Sequence, residues 1–298
     1  MKKKTITIIM VLSLIVTMVL AGCANESTDV SSTDVKDPNK KAILVVSFGT
    51  SYADTREVTI EAVENKVADT FKDYEMRRAF TSDTIIKILK DRDGIEVDNP
   101  QVALEKLKSE GFSEVVVQPL HVICGEEFES LTEDVEKFKT DFDKLVIGRP
   151  ILTTAEDYKI AAEALKTQLP ELKEGEAVVL MGHGTSHPAN AAYACFQYVL
   201  DDLGIENVFV GTVEGYPDLN NVIKLLKEND IDTVTLMPFM VVAGDHANND
   251  MAGDEEDSWK TLLKKEGFIV NAYLHGLGEN KAVQDIYIQH VKDTIESI

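Results

Sequence analysis

Ala42-Ile43-Leu44-Val45-Val46-Ser47-Phe48-Gly49-Thr50-Ser51 decides the fold. Its first five residues are apolar without interruption, as a strand buried on both faces requires. The glycine and hydroxyl residues that follow suit a tight turn beyond the strand's carboxyl end. The pattern returns at Leu180-Met181-Gly182-His183-Gly184-Thr185-Ser186. A second pair matches in the same order: Val117-Gln118-Pro119-Leu120-His121-Val122-Ile123-Cys124-Gly125-Glu126-Glu127 with Leu236-Met237-Pro238-Phe239-Met240-Val241-Val242-Ala243-Gly244-Asp245-His246. Chance similarity of strand ends would rarely preserve that order. Duplication is therefore expected, with the second half shorter between its motifs.

Outward from these anchors, short apolar runs alternate with amphipathic segments. Strands are expected at 42–47, 113–120, 144–148, 176–181, 208–212, 233–238 and 268–272. Helices are expected at 54–71, with Asp54 as cap, and at 100–111, 126–138, 156–169, 189–203, 218–228, 254–266 and 282–298. The alternation predicts an α/β fold: two similar halves, 41–150 and 151–298, each a mostly parallel sheet flanked by helices. A cleft between them would hold the ligand, which in open α/β sheets sits beyond the carboxyl ends of the strands.

The N-terminus reads as a targeting segment. Lys2, Lys3 and Lys4 precede an apolar run from Ile6 to Leu20, which ends in Leu20-Ala21-Gly22-Cys23. The run is shorter than the ~20 residues a membrane-spanning helix needs. The ending resembles a bacterial lipobox, which implies cleavage of a 1–22 signal peptide, lipidation of Cys23 and retention on a membrane surface. Residues 23–40 are polar, without hydrophobic period, and are expected to be a flexible tether.

The 298 residues carry 30 Lys plus Arg against 52 Asp plus Glu, a formal charge of −22. That excludes a basic nucleic-acid footprint and attraction to anionic lipid by charge alone. Three cysteines are too few for a disulfide scaffold, and pairing of Cys124 with Cys195 is open. A P-loop, a Gly-x-Ser-x-Gly elbow and a Gly-x-Gly-x-x-Gly fingerprint are all absent, so a nucleotide cofactor has no support.

Three polar residues fall at strand ends in the second half: His183, Glu214 in Val213-Glu214-Gly215-Tyr216-Pro217, and His246. Two imidazoles and a carboxylate can form a three-ligand metal site with open positions. From spacing alone, capping or turn histidines bonded to backbone are the more ordinary account. The repeat aligns His246 with Glu127, which could face the cleft as a metal contact or proton acceptor; an acid favoured by the helix N-terminus is the alternative. Gly49-Thr50-Ser51 and Gly184-Thr185-Ser186 could cradle an anion. The acidic run 245–257 is expected to be a solvated helix start. His121 is expected to be packed or hydrogen-bonded, His187 to line the pocket or not with equal weight, and His275 and His290 to be structural or solvated. A haem site has no support; a surface histidine such as His121 is what one would use.

Ser47-Phe48-Gly49-Thr50-Ser51, His121-Val122-Ile123-Cys124-Gly125-Glu126-Glu127-Phe128, Gly182-His183-Gly184-Thr185, Val213-Glu214-Gly215-Tyr216-Pro217 and Gly244-Asp245-His246-Ala247-Asn248-Asn249-Asp250-Met251 together resemble the anaerobic sirohydrochlorin cobaltochelatases, the class II chelatases of cobalamin synthesis. The likeness runs over 41–296. It implies the chelatase fold and insertion of Co(II) into sirohydrochlorin without ATP, with Fe(II) or Ni(II) as alternative metals. It implies His183 and His246 as the metal-site histidines, Glu214 as the associated carboxylate and Glu127 as the acid from the first half. His183 would serve as ligand and base. Phe48 and Tyr216 could press on the macrocycle. Because the substrate is a polycarboxylate and the chain is acidic, local donors are required; Arg56 and the amides around Gly49 and Thr50 are the candidates. Cobalamin synthesis is cytoplasmic in principle, so the leader leaves two readings: an exported, membrane-anchored enzyme, or a binding lipoprotein that delivers metal, haem or a corrinoid to a transporter. A homo-oligomer is left open.

Overall fold

The computed structural model describes residues 36–297. The expected signal peptide and Cys23 lie outside the described residues, as does the expected tether up to 35. The tether's end departs from expectation. Residues 37–40 are already part of strand β1 (Asp37–Ser47), where the Asp37 amide donates to the Gly111 carbonyl at 2.9 Å.

β1 lies between β2 (Glu75–Phe80) and β3 (Phe112–Pro119), and β4 (Lys144–Ile147) flanks β3. Every pairing is parallel. The second sheet holds β5 (Glu176–Gly182), β6 (Val208–Thr212), β7 (Thr233–Pro238) and β8 (Ile269–Ala272), also all parallel. The orders are β2-β1-β3-β4 and β6-β5-β7-β8, the same topology twice. This is the α/β architecture expected, with the repeated motifs at equivalent strand ends.

The continuous apolar runs divide by period two between the faces of each sheet. Ile43 and Val45 of β1 and Val178 and Leu180 of β5 enter one core shared by both sheets. Ala42, Leu44 and Val46 face a second cluster outside the first sheet, and Ala177, Val179 and Met181 a third outside the other. In the shared core the rings of Phe196 and Phe239 stack with centroids 4.7 Å apart.

The helices are α1 (Ala53–Val58), α2 (Ile60–Thr70), α3 (Asp83–Ile88), α4 (Pro100–Ser109), α5 (Glu126–Lys137), α6 (Ala155–Lys166), α7 (Ala191–Asp202), α8 (Leu219–Glu228), α9 (Trp259–Lys265) and α10 (Lys281–Glu296). Among the described residues no helix is long and apolar enough to cross a membrane. α10 returns to the first half, where Asp285 meets Lys66 at 2.7 Å and Asp293 meets Arg149 at 2.8 Å. His290 on α10 is structural: it is buried, its Nδ1 lies 3.0 Å from the Arg149 carbonyl and its Nε2 3.3 Å from Asp157.

Several expectations need correction. The helix expected at 54–71 is two helices, broken at Thr59 (φ −116°, ψ −82°), and Tyr52, not Asp54, is its N-cap residue. Thr59 is buried against the turn Leu277–Glu279, so closely that a Cβ on Gly278 would stand 2.8 Å from its own. That long-range contact has no local sequence signal. The helix expected from 254 starts at Trp259, capped by the Ser258 hydroxyl. The acidic run before it instead forms a separate helical turn, Ala247–Met251, and a loop. β2 and α3 were not expected. β2 is an edge strand whose Arg77 and Arg78 pair with Glu110 and Glu64, and these charges mask its period.

Candidate active site

Because all strands of each sheet run the same way, their carboxyl ends gather on one side. A cleft of about 840 Å³ opens there, with walls from both halves. Two glycines set its loops. Gly49 and Gly184 stand at equivalent places in the repeat with φ +94° and +82°. A Cβ on Gly184 would lie 2.6 Å from the Gly215 amide nitrogen, so no other residue allows that approach.

His183 leaves β5 and reaches the cleft. Its Nδ1 donates to the Gly184 carbonyl at 2.8 Å. His246 comes from the loop after β7, and its Nδ1 donates to the Asp250 carboxylate at 2.6 Å. Both partners are acceptors only, so in each neutral ring the proton sits on Nδ1 and the lone pair on Nε2. The rings meet edge to face, centroids 4.7 Å apart and planes at 88°. A ring nitrogen tied to a carbonyl or carboxylate, with the other free, is the usual support of a metal-ligating histidine. Asp250 was missed in the sequence reading; its position one helical turn after His246 was the available signal.

Glu214 is exposed on the same cleft wall, and its backbone N–H donates to the His183 carbonyl at 2.8 Å. Glu127 is exposed at the first turn of α5 and lines the cleft from the first half. Among the described residues no three histidine, cysteine, aspartate or glutamate side chains gather closely enough to hold an ion. The structure thus brings the two imidazoles together and places both carboxylates in the cleft at a greater reach.

Phe48 is half exposed over the cleft, and Gly49 and Thr50 line it. Arg56 is a correction: it is buried, bonded to Glu61 at 3.2 Å and to the Thr50 carbonyl at 3.4 Å, and does not line the cleft. Its guanidinium is engaged inside the first half and is not free to receive a substrate. Tyr216 is 67% exposed and also lies outside the cleft lining. His187 is not in the lining either; its Nε2 lies 3.1 Å from Glu129 of α5 and ties the two halves. Tyr52 makes a second such tie, its hydroxyl 3.2 Å from Asp245. Among the described residues Cys124 and Cys195 form no disulfide.

For His121 the packed reading holds, and only its mention as a surface histidine is corrected. It is not a surface histidine: both ring nitrogens are closed off from solvent and have no hydrogen-bond partner among the described residues. Burial pushes its pKa down to about 4, so the ring is neutral near pH 7.

The family profile for cobalt chelatase (CbiK) matches residues 41–296. The sirohydrochlorin cobaltochelatase of Salmonella typhimurium is 44% identical over 256 residues, 86% of this chain and 97% of that protein. Sirohydrochlorin cobaltochelatase CbiKC of Nitratidesulfovibrio vulgaris is 33% identical over 262 residues, 87% of this chain and 92% of that protein. Among solved structures, SirB from Bacillus subtilis with Fe3+ superposes with TM-score 0.57 at 16% identity, covering 86% of this chain and 95% of that one. CbiX, the terminal enzyme of sirohaem biosynthesis in denitrifying bacteria, gives 0.51 at 16% identity, covering 85% and 99%. These two structures share the fold. On the profile match and the two sequence relatives, the chain belongs to the cobalt chelatase family.

Proposed function

We infer that the chain is a sirohydrochlorin cobaltochelatase, inserting Co(II) into sirohydrochlorin as a step of cobalamin biosynthesis, with no nucleotide taking part. The observation that carries the residue roles is the His183–His246 pair in one cleft, with both Nδ1 atoms tied and neither Nε2 atom hydrogen-bonded among the described residues. Co(II) is a substrate here and has to be released. Neutral imidazoles suit a borderline divalent ion, and a site with few ligands gives it up more readily than a closed one.

The reaction exchanges one dication for two pyrrolic protons. His183 and His246 hold Co(II) through Nε2, and Glu214 adds a carboxylate oxygen from the neighbouring loop. As the metal passes to the macrocycle nitrogens, the His183 Nε2 lone pair is freed and accepts one proton. Glu127, on the opposite wall, accepts the other. Asp250 stabilises positive charge on His246 through its Nδ1–H bond. Phe48 supplies an apolar face for the ring.

The leader and the Leu20-Ala21-Gly22-Cys23 ending support export and a lipid anchor at Cys23, on the outer side of a membrane. That leader is also what favours a second reading, a lipoprotein that binds a metal, haem or corrinoid and serves a transporter. Incubating the purified chain with sirohydrochlorin and Co(II) separates the two. Catalytic conversion of the free-base absorbance spectrum, abolished in His183→Ala, supports the enzyme. Stoichiometric binding with no turnover supports the carrier.

A further inference from the structure

The cleft must admit a dication and a polycarboxylate, yet no lysine or arginine lines it. Its lining acids are Glu126, Glu127, Glu214 and Asp245. A substrate with acid groups at its periphery therefore has to meet its cations at the rim.

Two guanidiniums bond to backbone that lines the cleft. Arg56 donates to the Thr50 carbonyl, but it is buried and paired with Glu61. Arg92 donates to the next carbonyl, that of Ser51, and its side chain is 53% exposed. One is enclosed by the first half; the other stands in solvent at the rim.

α3 brings Arg92 there. The helix buries no residue of its own, and its Thr84, Ile85 and Ile88 line the cleft. It runs on into a wider helical turn, Leu89–Asp93, which the fully buried Leu89 pins to the core. Arg92 follows Ile88 by four residues, about one turn. The cleft wall thus carries an apolar strip that ends in a cation. A guanidinium has five N–H donors. Nε and Nη2 fork onto the Asp93 carboxylate at 2.8 and 2.7 Å, and Nη2 also donates to Ser51. Nη1 makes no hydrogen bond among the described residues. The charge of Arg92 also reaches Tyr52, another lining residue: burial pushes the Tyr52 hydroxyl pKa up, Asp245 adds to the rise, and Arg92 opposes it.

We propose that Arg92 is a substrate-binding residue, its Nη1 donating to a peripheral carboxylate of the tetrapyrrole while the macrocycle lies along Ile85 and Ile88. This rests on the reading of the chain as a sirohydrochlorin chelatase. A flat apolar ring edged with acids matches an apolar strip edged with a guanidinium. Hydrogen bonds between charged partners are the strong ones, and the planar guanidinium can serve Asp93 and a second carboxylate from different edges. Asp93 also offsets the positive charge, which limits repulsion of the incoming Co(II). Arg92 belongs to the first half and His183 and His246 to the second, so substrate anchoring and metal binding use different parts of the chain.

The test compares the purified wild-type chain with Arg92→Met, Arg92→Lys and Asp93→Asn. Fluorescence titration gives Kd for metal-free sirohydrochlorin and for the same macrocycle with its carboxylates esterified. Initial rates give KM for sirohydrochlorin and for Co(II). Arg92→Met is expected to raise the sirohydrochlorin Kd and KM roughly fivefold at low salt, with the Co(II) KM unchanged. The increase should shrink at high salt. Arg92→Lys, a point charge without the fork, recovers part of the loss. Asp93→Asn removes the competing carboxylate and should lower the sirohydrochlorin Kd roughly twofold. Ester binding is the same in all four. A residue that only held the Ser51 loop would affect acid and ester alike. The proposal is overturned if the sirohydrochlorin Kd is unchanged in Arg92→Met, if ester binding falls with it, or if the Co(II) KM rises instead. Should Arg92→Met be unstable, Asp93→Asn decides, and no tightening overturns the proposal. Wild-type turnover judges the enzyme reading separately: binding without turnover ends that reading, while the role of Arg92 is still judged from Kd.

Discussion

The imidazoles of His183 and His246 stand edge to face, 4.7 Å between centroids, and each spends its Nδ1 proton on a fixed acceptor within the second half. Two residues far apart in sequence thereby present two lone pairs to one cleft. The acceptors differ, and that difference can be tested: Gly184 offers a backbone carbonyl, whereas Asp250 offers a removable side chain.

Asp250→Ala should leave the fold intact, because the carboxylate is partly exposed at 46%. It frees the His246 ring to rotate and to adopt the other tautomer. Loss of such a support typically costs 10–100-fold in metal affinity or activity. The expected result is a Co(II) KM raised by about tenfold or more, with the sirohydrochlorin KM unchanged, read from initial rates at varied metal.

Gly184→Ala tests the loop that carries His183. The new Cβ would meet the Gly215 amide at 2.6 Å, at a φ of +82° where alanine is strained. The His183 and Glu214 loops must then move apart. Activity should fall by roughly 100-fold, since small misplacements of reacting groups are costly. The thermal midpoint should drop by only a few degrees, as the strain is confined to a strand end. Rate and melting measurements on the same preparation check both.

His121 makes the protein sensitive to mild acid. Its folded pKa lies near 4, below the ordinary 6.5, because burial disfavours the charged ring. The unfolded chain therefore binds the proton first. Stability from this group is complete above pH 6.5 and is lost as pH falls toward 4, by on the order of 3 kcal/mol. His121→Phe should remove that part of the slope. At pH 7 the variant should be at least as stable as wild type, because no partner of His121 is lost. Denaturant melts across pH 7 to 4 measure both effects.

Arg78→Met tests the edge strand. Glu64 on α2 is almost wholly buried, and burial raises its pKa while Arg78 opposes that rise. Without Arg78 the carboxylate is left buried with a weaker set of partners. The expected loss is about 2–3 kcal/mol at pH 7. It should shrink on acidification, as Glu64 takes up a proton instead. Chemical denaturation at two pH values is sufficient.

The parallel sheets, the duplication and the family were legible in the chain alone. A strand covered on both faces must be apolar at nearly every position, and it must stop where a glycine turn begins; both signals are local. The motifs at those stops carried His183, Glu214, His246 and Glu127. What stayed hidden depended on partners distant in sequence. Glu75–Phe80 looked too charged for a strand because its arginines are neutralised by Glu64 of α2 and by Glu110, just past the end of α4. The break at Thr59 answers a turn more than 200 residues later. Arg56 was expected at the substrate and was found held by Glu61, whereas His121, expected to be packed or hydrogen-bonded, was found packed with neither ring nitrogen bonded among the described residues. Residue type and local pattern settle which groups are available for chemistry. Only the packing of one element on another decides which are already engaged and which remain free to meet a ligand.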